Sequence, residues 1–318
     1  MVAPPPARPL PATPSTEPRS GRAAVGALEL AYDLFAPRPD APLLVLVMGI
    51  GAQRVFWPDA WCQALAAHDL RVVRFDHRDI GQSSRLDDLA VPDARRALVR
   101  RLFGVPAPAP YSLSDMAGDV VGLIDHLGAE RAHLVGVSMG GMIGQLAAIE
   151  HPARVGSLAS IMSSPGATRF ALGARPSALR ALLGPAPRSA EQAGEHAVRT
   201  FTVLGGGGLP VDTERLRAAG AEAFARGLSA RGFLRHFAAI CAAPDRTAAL
   251  ARVTAPTVVL HGDRDPLIPA AAGRATARAI PGARLEIVPG MGHHLPSAVW
   301  PTLIAAIVDN LRRPGPVA

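Results

Sequence analysis

The sequence predicts an α/β protein: a mostly parallel sheet covered by helices on both faces, with a helical insertion. Three observations carry this. Apolar runs of strand length alternate with helix-length amphipathic stretches through most of the chain. The alternation fails between about residues 164 and 251, where the pattern turns helical or irregular. At one strand-to-helix junction stands Gly136-Val137-Ser138-Met139-Gly140.

Taken in order, Ala27–Leu34 has the pattern of a strand and Leu43–Met48 that of a buried one. Trp57–His68 suits a helix and Arg71–Asp76 a strand. Ser112-Leu113-Ser114-Asp115 has the form of a capping box, which opens a helix running through Leu127. Arg131–Val137 is strand-like, Met139–Glu150 helical and Val155–Met162 strand-like. Helical patterns follow at Ala178–Leu183, Ala190–Thr200, Asp212–Arg226 and Ser229–Ala242, punctuated by Pro165, Pro185, Pro187 and the glycines at 205–208. The alternation then resumes with strand Pro256–His261, helix Ala270–Ala279, strand Arg284–Val288 and helix Val299–Leu311. The expected division is a Pro-rich disordered tail at 1–21, a core at 22–165 and 251–312, a helical cap at 166–250 and a short tail at 313–318. A cap inserted there would lie over the carboxyl edge of the sheet, where open α/β sheets bind ligands.

Composition narrows the function classes. All 33 basic residues are arginine and none is lysine. A P-loop lysine, a pyridoxal Schiff base and any catalytic lysine are therefore excluded, and Gly205–Gly208 is a loop rather than a phosphate cradle. The net charge of +7 comes from scattered arginines without an aromatic-basic patch, so nucleic acid is not an expected partner. The local cluster Arg95, Arg96, Arg100 and Arg101 is read as a solvated helix face. No apolar run has the length of a membrane span, and the first twenty residues lack the apolar centre of a secretory signal, so a cytoplasmic location is expected. Cys62 and Cys241 fit no metal or redox spacing and are expected to be free thiols. No metal and no cofactor is expected.

The candidate chemistry begins at Ser138. Gly-x-Ser-x-Gly between a strand and a helix makes a turn so sharp that its neighbours must be small, and it exposes the serine hydroxyl. A serine is a poor nucleophile without an adjacent base. An acid to orient that base is expected in His261-Gly262-Asp263-Arg264-Asp265-Pro266, directly after a strand. Asp265 is the first choice. Asp263 is the rival, with a turn-forming role as its alternative. The base is expected in Gly290-Met291-Gly292-His293-His294, again just after a strand. Gly292 permits close backbone approach and favours His293, while His294 is chemically equivalent. Two backbone N–H groups to hold an oxyanion are expected at Met139 and at Ile50, with Gly49 second to Ile50. The glycines of Gly49-Ile50-Gly51 do not open a dinucleotide fingerprint, because the third glycine would fall at Arg54. His77, His133 and His261 lie in or beside strand patterns and suit core or supporting roles.

With Ser138, Asp265 and His293 in the order nucleophile, acid, histidine, the chain resembles the α/β-hydrolase superfamily from about Gly26 to Leu311. Met48 stands where that superfamily often has histidine before the oxyanion residue. Asp76-His77-Arg78-Asp79-Ile80-Gly81-Gln82-Ser83 resembles its Asp-x-Arg-Gly-x-Gly-x-Ser loop, with Asp79 replacing the first glycine, and is read as structural. A closer resemblance is to the aclacinomycin methylesterases of anthracycline biosynthesis. It rests on Val47-Met48-Gly49, Arg74-Phe75-Asp76-His77-Arg78-Asp79, the Ser138 pentapeptide and Gly290-Met291-Gly292-His293-His294-Leu295-Pro296-Ser297. The resemblance implies a carboxylic ester hydrolase acting on a small-molecule ester, without implying that particular substrate. Dehalogenases and epoxide hydrolases of this fold carry Asp in place of Ser138, and plant-type hydroxynitrile lyases need a lysine. A lactonase, thioesterase, C–C bond hydrolase or cofactor-free perhydrolase would use the same three residues. A non-catalytic ligand-binding protein of the same fold is the remote alternative.

Overall fold

The apolar runs assemble into one eight-stranded sheet in the computed structural model, which describes residues 17–314. In chain order the elements are β1 (Arg19–Val25), β2 (Leu28–Phe35), β3 (Leu43–Val47), α1 (Asp59–Ala66), β4 (Arg71–Phe75), α2 (Ala94–Leu102), α3 (Leu113–His126), β5 (Ala132–Val137), α4 (Met139–Glu150) and β6 (Val155–Ile161). There follow α5 (Thr168–Ala171), α6 (Pro176–Leu182), α7 (Ala190–Leu204), α8 (Thr213–Ala225), α9 (Ala230–Ala242), β7 (Thr257–Gly262), α10 (Ala270–Ala279), β8 (Arg284–Val288) and α11 (Trp300–Leu311). The strand order is β1-β2-β4-β3-β5-β6-β7-β8. β2 is antiparallel to both its neighbours, and every pairing from β4 onward is parallel.

The alternation of β3 shows why helices cover both faces. Leu43, Val45 and Val47 pack on one side with Val120 and Leu123 of α3 and Ile143 of α4. Leu44 and Leu46 pack on the other with Trp61 and Leu65 of α1 and Leu303 and Ile307 of α11. Every residue of β3, β6 and β7 is buried, as expected of a parallel sheet covered on both sides. Each of these fully buried Leu, Ile or Val side chains contributes about 1.5–3 kcal/mol through lost contact with water. At the far end of α11, the Asn310 amide donates to the carbonyls of Leu158 and Pro256 at 3.2 and 3.0 Å, tying that helix to the middle of β6 and the residue before β7.

Some elements depart from the expectation. β1 begins at Arg19, inside the stretch expected to be a disordered tail; residues 1–16 of that tail and 315–318 of the other lie outside the described residues. β1 has one buried side chain, Ala23, so it carries almost no apolar signal. Its place is set by pairing with β2 through a two-residue turn whose first member, Gly26, has φ 57°. The four-residue α5 is too short to leave a period in the sequence. The capping box at Ser112 and Asp115 is formed, with Ser112 Oγ accepting from Asp115 N and Asp115 accepting from Ser112 N. The arginine cluster splits. Arg95 and Arg96 are exposed, but Arg101 turns inward and donates to the carbonyls of Gly166 and Ala243.

The five helices between β6 and β7 meet the loops that follow β3 and β4. Gln53 Nε2 donates to Ala223 O of α8 at 2.7 Å. Arg235 of α9, fully buried, forms a bidentate pair with Asp79 at 2.9 Å for both contacts, and the Tyr111 hydroxyl donates to the same carboxylate at 2.8 Å. Asp79, where the resembling motif has glycine, has φ 69°. It adopts a left-handed backbone and uses its carboxylate to hold α9.

Candidate active site

Ser138 sits between β5 and α4 with φ 55° and ψ −118°, a conformation disfavoured for any residue with a Cβ. Its N–H donates to Ile161 O at 2.9 Å and its carbonyl accepts from Ser163 Oγ at 2.8 Å, so the turn is fastened from β6. The flanking glycines are required sterically. A methyl group on Gly136 would overlap the Gly140 carbonyl, and one on Gly140 would overlap the Val47 carbonyl.

His293 reaches this serine from the loop after β8. Its Nε2 lies 2.9 Å from Ser138 Oγ, and its Nδ1 lies 2.7 Å from Asp265 Oδ2. A carboxylate only accepts, so Nδ1 carries the proton and donates to Asp265. Nε2 is then free to accept from the serine hydroxyl. The loop is pinned by His293 N donating to Leu204 O at the end of α7, at 2.7 Å. A side chain at Gly292 would collide with the carbonyls of Leu204 and Gly205.

Asp265 is buried in the loop after β7. Its Oδ1 accepts from the N–H groups of Leu267 and Ile268 at 2.9 and 2.8 Å, and His261 Nε2 lies 3.4 Å from its Oδ2. Burial alone would raise its pKa. The electrostatic pull of the adjacent His293 imidazole and hydrogen bonds from His261 and His293 overcome this and hold the carboxyl well below the usual carboxylate range. Of the paired candidates, His294 turns away and donates to Leu209 O at 3.2 Å, and Asp263 accepts from Gly290 N at 2.7 Å. The structure thus brings Ser138, His293 and Asp265 into one hydrogen-bonded chain and leaves Asp263 and His294 outside it.

Met139 is the first residue of α4, so its N–H has no partner within the helix. Gly49 lies against the serine; a methyl group built on it would be 3.5 Å from Ser138 Cβ. The loop carrying Gly49 and Ile50 is held by two histidines. His77 Nε2 donates to Met48 O at 2.9 Å. His236 Nε2 donates to Arg78 O at 3.0 Å, which leaves its Nδ1 to accept from Gly51 N at 3.4 Å. Burial pushes His77 down to about 4 and His236 down to about 3, so both stay neutral and keep these roles. His236, on α9, gave no sequence signal of this role, because its partner lies 185 residues away.

Two cavities meet at Ser138, and Ile50, Leu182 and Leu267 line both. One extends past Phe170, Leu179, Phe237 and Ile240. The other passes Phe56, Phe201, Leu204 and Leu216 and takes in His293. No described helix is long and apolar enough to cross a membrane.

Residues 42–296 match the family profile described as alpha/beta hydrolase fold. Rhodomycin D methylesterase DnrP of Streptomyces peucetius is 31% identical over 291 residues, covering 86% of this chain and 91% of that protein. The enol-lactonase of Burkholderia xenovorans LB400 superposes with a TM-score of 0.67 at 26% identity, covering 92% of this chain and all of that one. A meta-cleavage product hydrolase from Pseudomonas fluorescens IP01 has the same fold, with a TM-score of 0.67 at 16% identity, covering 91% of this chain and 96% of that one.

Proposed function

Since the chain belongs to the α/β-hydrolase fold family, we propose that it is a serine hydrolase cleaving carboxylic esters through an acyl-enzyme. The observation that carries the reading is the contact chain from Ser138 Oγ through His293 to Asp265, placed where two cavities meet. Ser138 attacks the ester carbonyl while His293 takes its proton, and His293 then returns that proton to the leaving alcohol. Asp265 holds the imidazole and stabilises the imidazolium. The N–H groups of Met139 and Ile50 receive the oxyanion. Water, activated by His293, releases the acid. No step calls for a metal or cofactor.

The helices at 166–250 act as a cap that closes the cleft. The leucine, isoleucine and phenylalanine lining on both sides of Ser138 favours esters with largely apolar acid and alcohol parts. The relationship to a methylesterase favours ester over lactone, thioester or C–C bond cleavage. Steady-state hydrolysis of p-nitrophenyl esters from acetyl to long acyl tests the reading. Turnover by the wild type that disappears in Ser138→Ala supports it. Turnover in Ser138→Ala near the wild-type rate overturns it.

A further inference from the structure

The arginines of this chain divide by partner. Four are almost completely buried: Arg54, Arg74, Arg235 and Arg246. The first three each contact a buried aspartate, Asp33 or Asp76 for Arg54, Asp33 for Arg74 and Asp79 for Arg235. Among the described residues no carboxylate oxygen lies within 4 Å of the Arg246 guanidinium, and none lies within 4 Å of that of Arg101. Both arginines line the Phe237 side of the cleft at Ser138. On the opposite side the charges are matched internally, Arg215 donating to Asp212 at 3.2 Å.

The two unmatched cations are fixed in place by neutral groups. Arg246 donates to Ser164 O at 3.0 Å, and to Pro244 O and Gln145 Oε1 at 3.3 Å each. Arg101 donates to the Gly166 and Ala243 carbonyls. A guanidinium has five N–H donors, so each keeps donors uncommitted. The carboxylate next in sequence, Asp245, is occupied by Thr247 N and Oγ1 at 2.9 and 2.6 Å. Burial, with Arg101 nearby, pushes Arg246 down to about 10, which leaves it charged at neutral pH. Asp245 and Glu150 act on Arg246 only from beyond ion-pair distance. A buried cation with no carboxylate in contact is costly, and Arg246, with the partly buried Arg101 beside it, stands preorganised in an otherwise apolar cavity.

We propose that this side of the cleft is an anion subsite, and that the ester cleaved at Ser138 carries a carboxylate that docks on Arg246 and Arg101. The substrate class is then the half-ester of a dicarboxylic acid, or an ester whose alcohol part carries an acid group. The inference rests on Ser138 as nucleophile, but the binding it describes is measurable without turnover.

The test compares matched esters with and without the charge, monophenyl adipate against phenyl hexanoate, on wild type, Arg246→Gln and Arg101→Gln. The expected result is a kcat/KM preference for the adipate of about 10- to 100-fold in the wild type, the range of a charge-assisted hydrogen-bonded contact. That preference falls to near unity in Arg246→Gln and is reduced in Arg101→Gln. Equal or better use of the neutral ester by the wild type overturns the subsite and leaves the esterase reading standing. So does a preference that survives both substitutions. Calorimetry of monophenyl adipate and phenyl hexanoate on Ser138→Ala, which binds them without cleavage, decides the matter without chemistry. Binding of monophenyl adipate that is weakened in Ser138→Ala/Arg101→Gln supports the subsite, and equal affinity for the charged and the neutral ester overturns it. If neither ester is hydrolysed, the esterase reading fails and calorimetry alone judges the subsite. Circular dichroism and melting temperature check that each variant folds, and Arg101, only partly buried, supplies the substitution that does not open the core.

Discussion

Replacing Asp265 by asparagine isolates one charge in the proposed mechanism. The shape is nearly conserved, and Asn Oδ1 can still accept from Leu267 N and Ile268 N, which Asp265 Oδ1 does at 2.9 and 2.8 Å. The group 2.7 Å from His293 Nδ1 becomes an NH2 donor where a carboxylate oxygen accepted. The imidazole must then carry its proton on Nε2, the nitrogen that faces Ser138 Oγ at 2.9 Å, and it can no longer accept from the serine. The lost charge adds to this. Asp265 is fully buried and His293 nearly so, which leaves little screening by solvent. Two unit charges at 2.7 Å interact by about 6 kcal/mol at an effective dielectric near 20. His293 becomes a cation only as the bond forms, so most of that energy falls on the barrier, and about four powers of ten in rate are at stake. The same acid-to-amide change in a serine protease triad costs about 10⁴ in kcat. The assay is kcat/KM on the best p-nitrophenyl ester for wild type, Asp265→Asn and Asp263→Asn, with melting temperature as the folding control. A loss of about 10⁴ is expected for Asp265→Asn and less than about threefold for Asp263→Asn. A folded Asp265→Asn protein within tenfold of wild type, or equal damage from the two substitutions, would refute the assignment of the acid.

Gly140→Ala drives a methyl group into the Val47 carbonyl, a backbone atom that cannot rotate away; a loss of about 3 kcal/mol and a melting temperature lower by about 4–5 °C are expected, and an unchanged melting curve would contradict the close packing at the turn. Arg235→Met strands the buried Asp79 and should cost about 3–5 kcal/mol in denaturant unfolding. Adding Asp79→Asn should recover part of that loss, and strict additivity of the two substitutions would deny the pairing. Asp33, Asp79 and Asp265 are each buried, which raises a carboxyl pKa, yet Arg54, Arg235 and His293 respectively hold each below the ordinary 3.8. Their stabilisation is complete above about pH 5 and is lost as pH falls through the lower folded values. The melting temperature should therefore drop steeply below about pH 4, and a flat profile from pH 7 to 3 would speak against it.

Local pattern was enough for much of this protein. The strands buried on both faces left continuous apolar runs, the capping box marked α3, and glycines on both sides of Ser138 marked a turn that admits no side chain. Asp265 and His293 were legible because each follows a strand, and parallel strands bring their carboxyl ends to one edge. Tertiary structure chose between neighbours of equal chemistry. Asp265 meets His293 while Asp263 caps Gly290, and His293 faces the serine while His294 turns to Leu209. It also added β1, an edge strand with one buried residue, and recruited His236 to the loop of Ile50 and Arg235 to Asp79. These depend on contacts between residues far apart in the chain. A side chain's period can be read from its neighbours in sequence, but the partner of a buried charge is known only once the chain has folded around it.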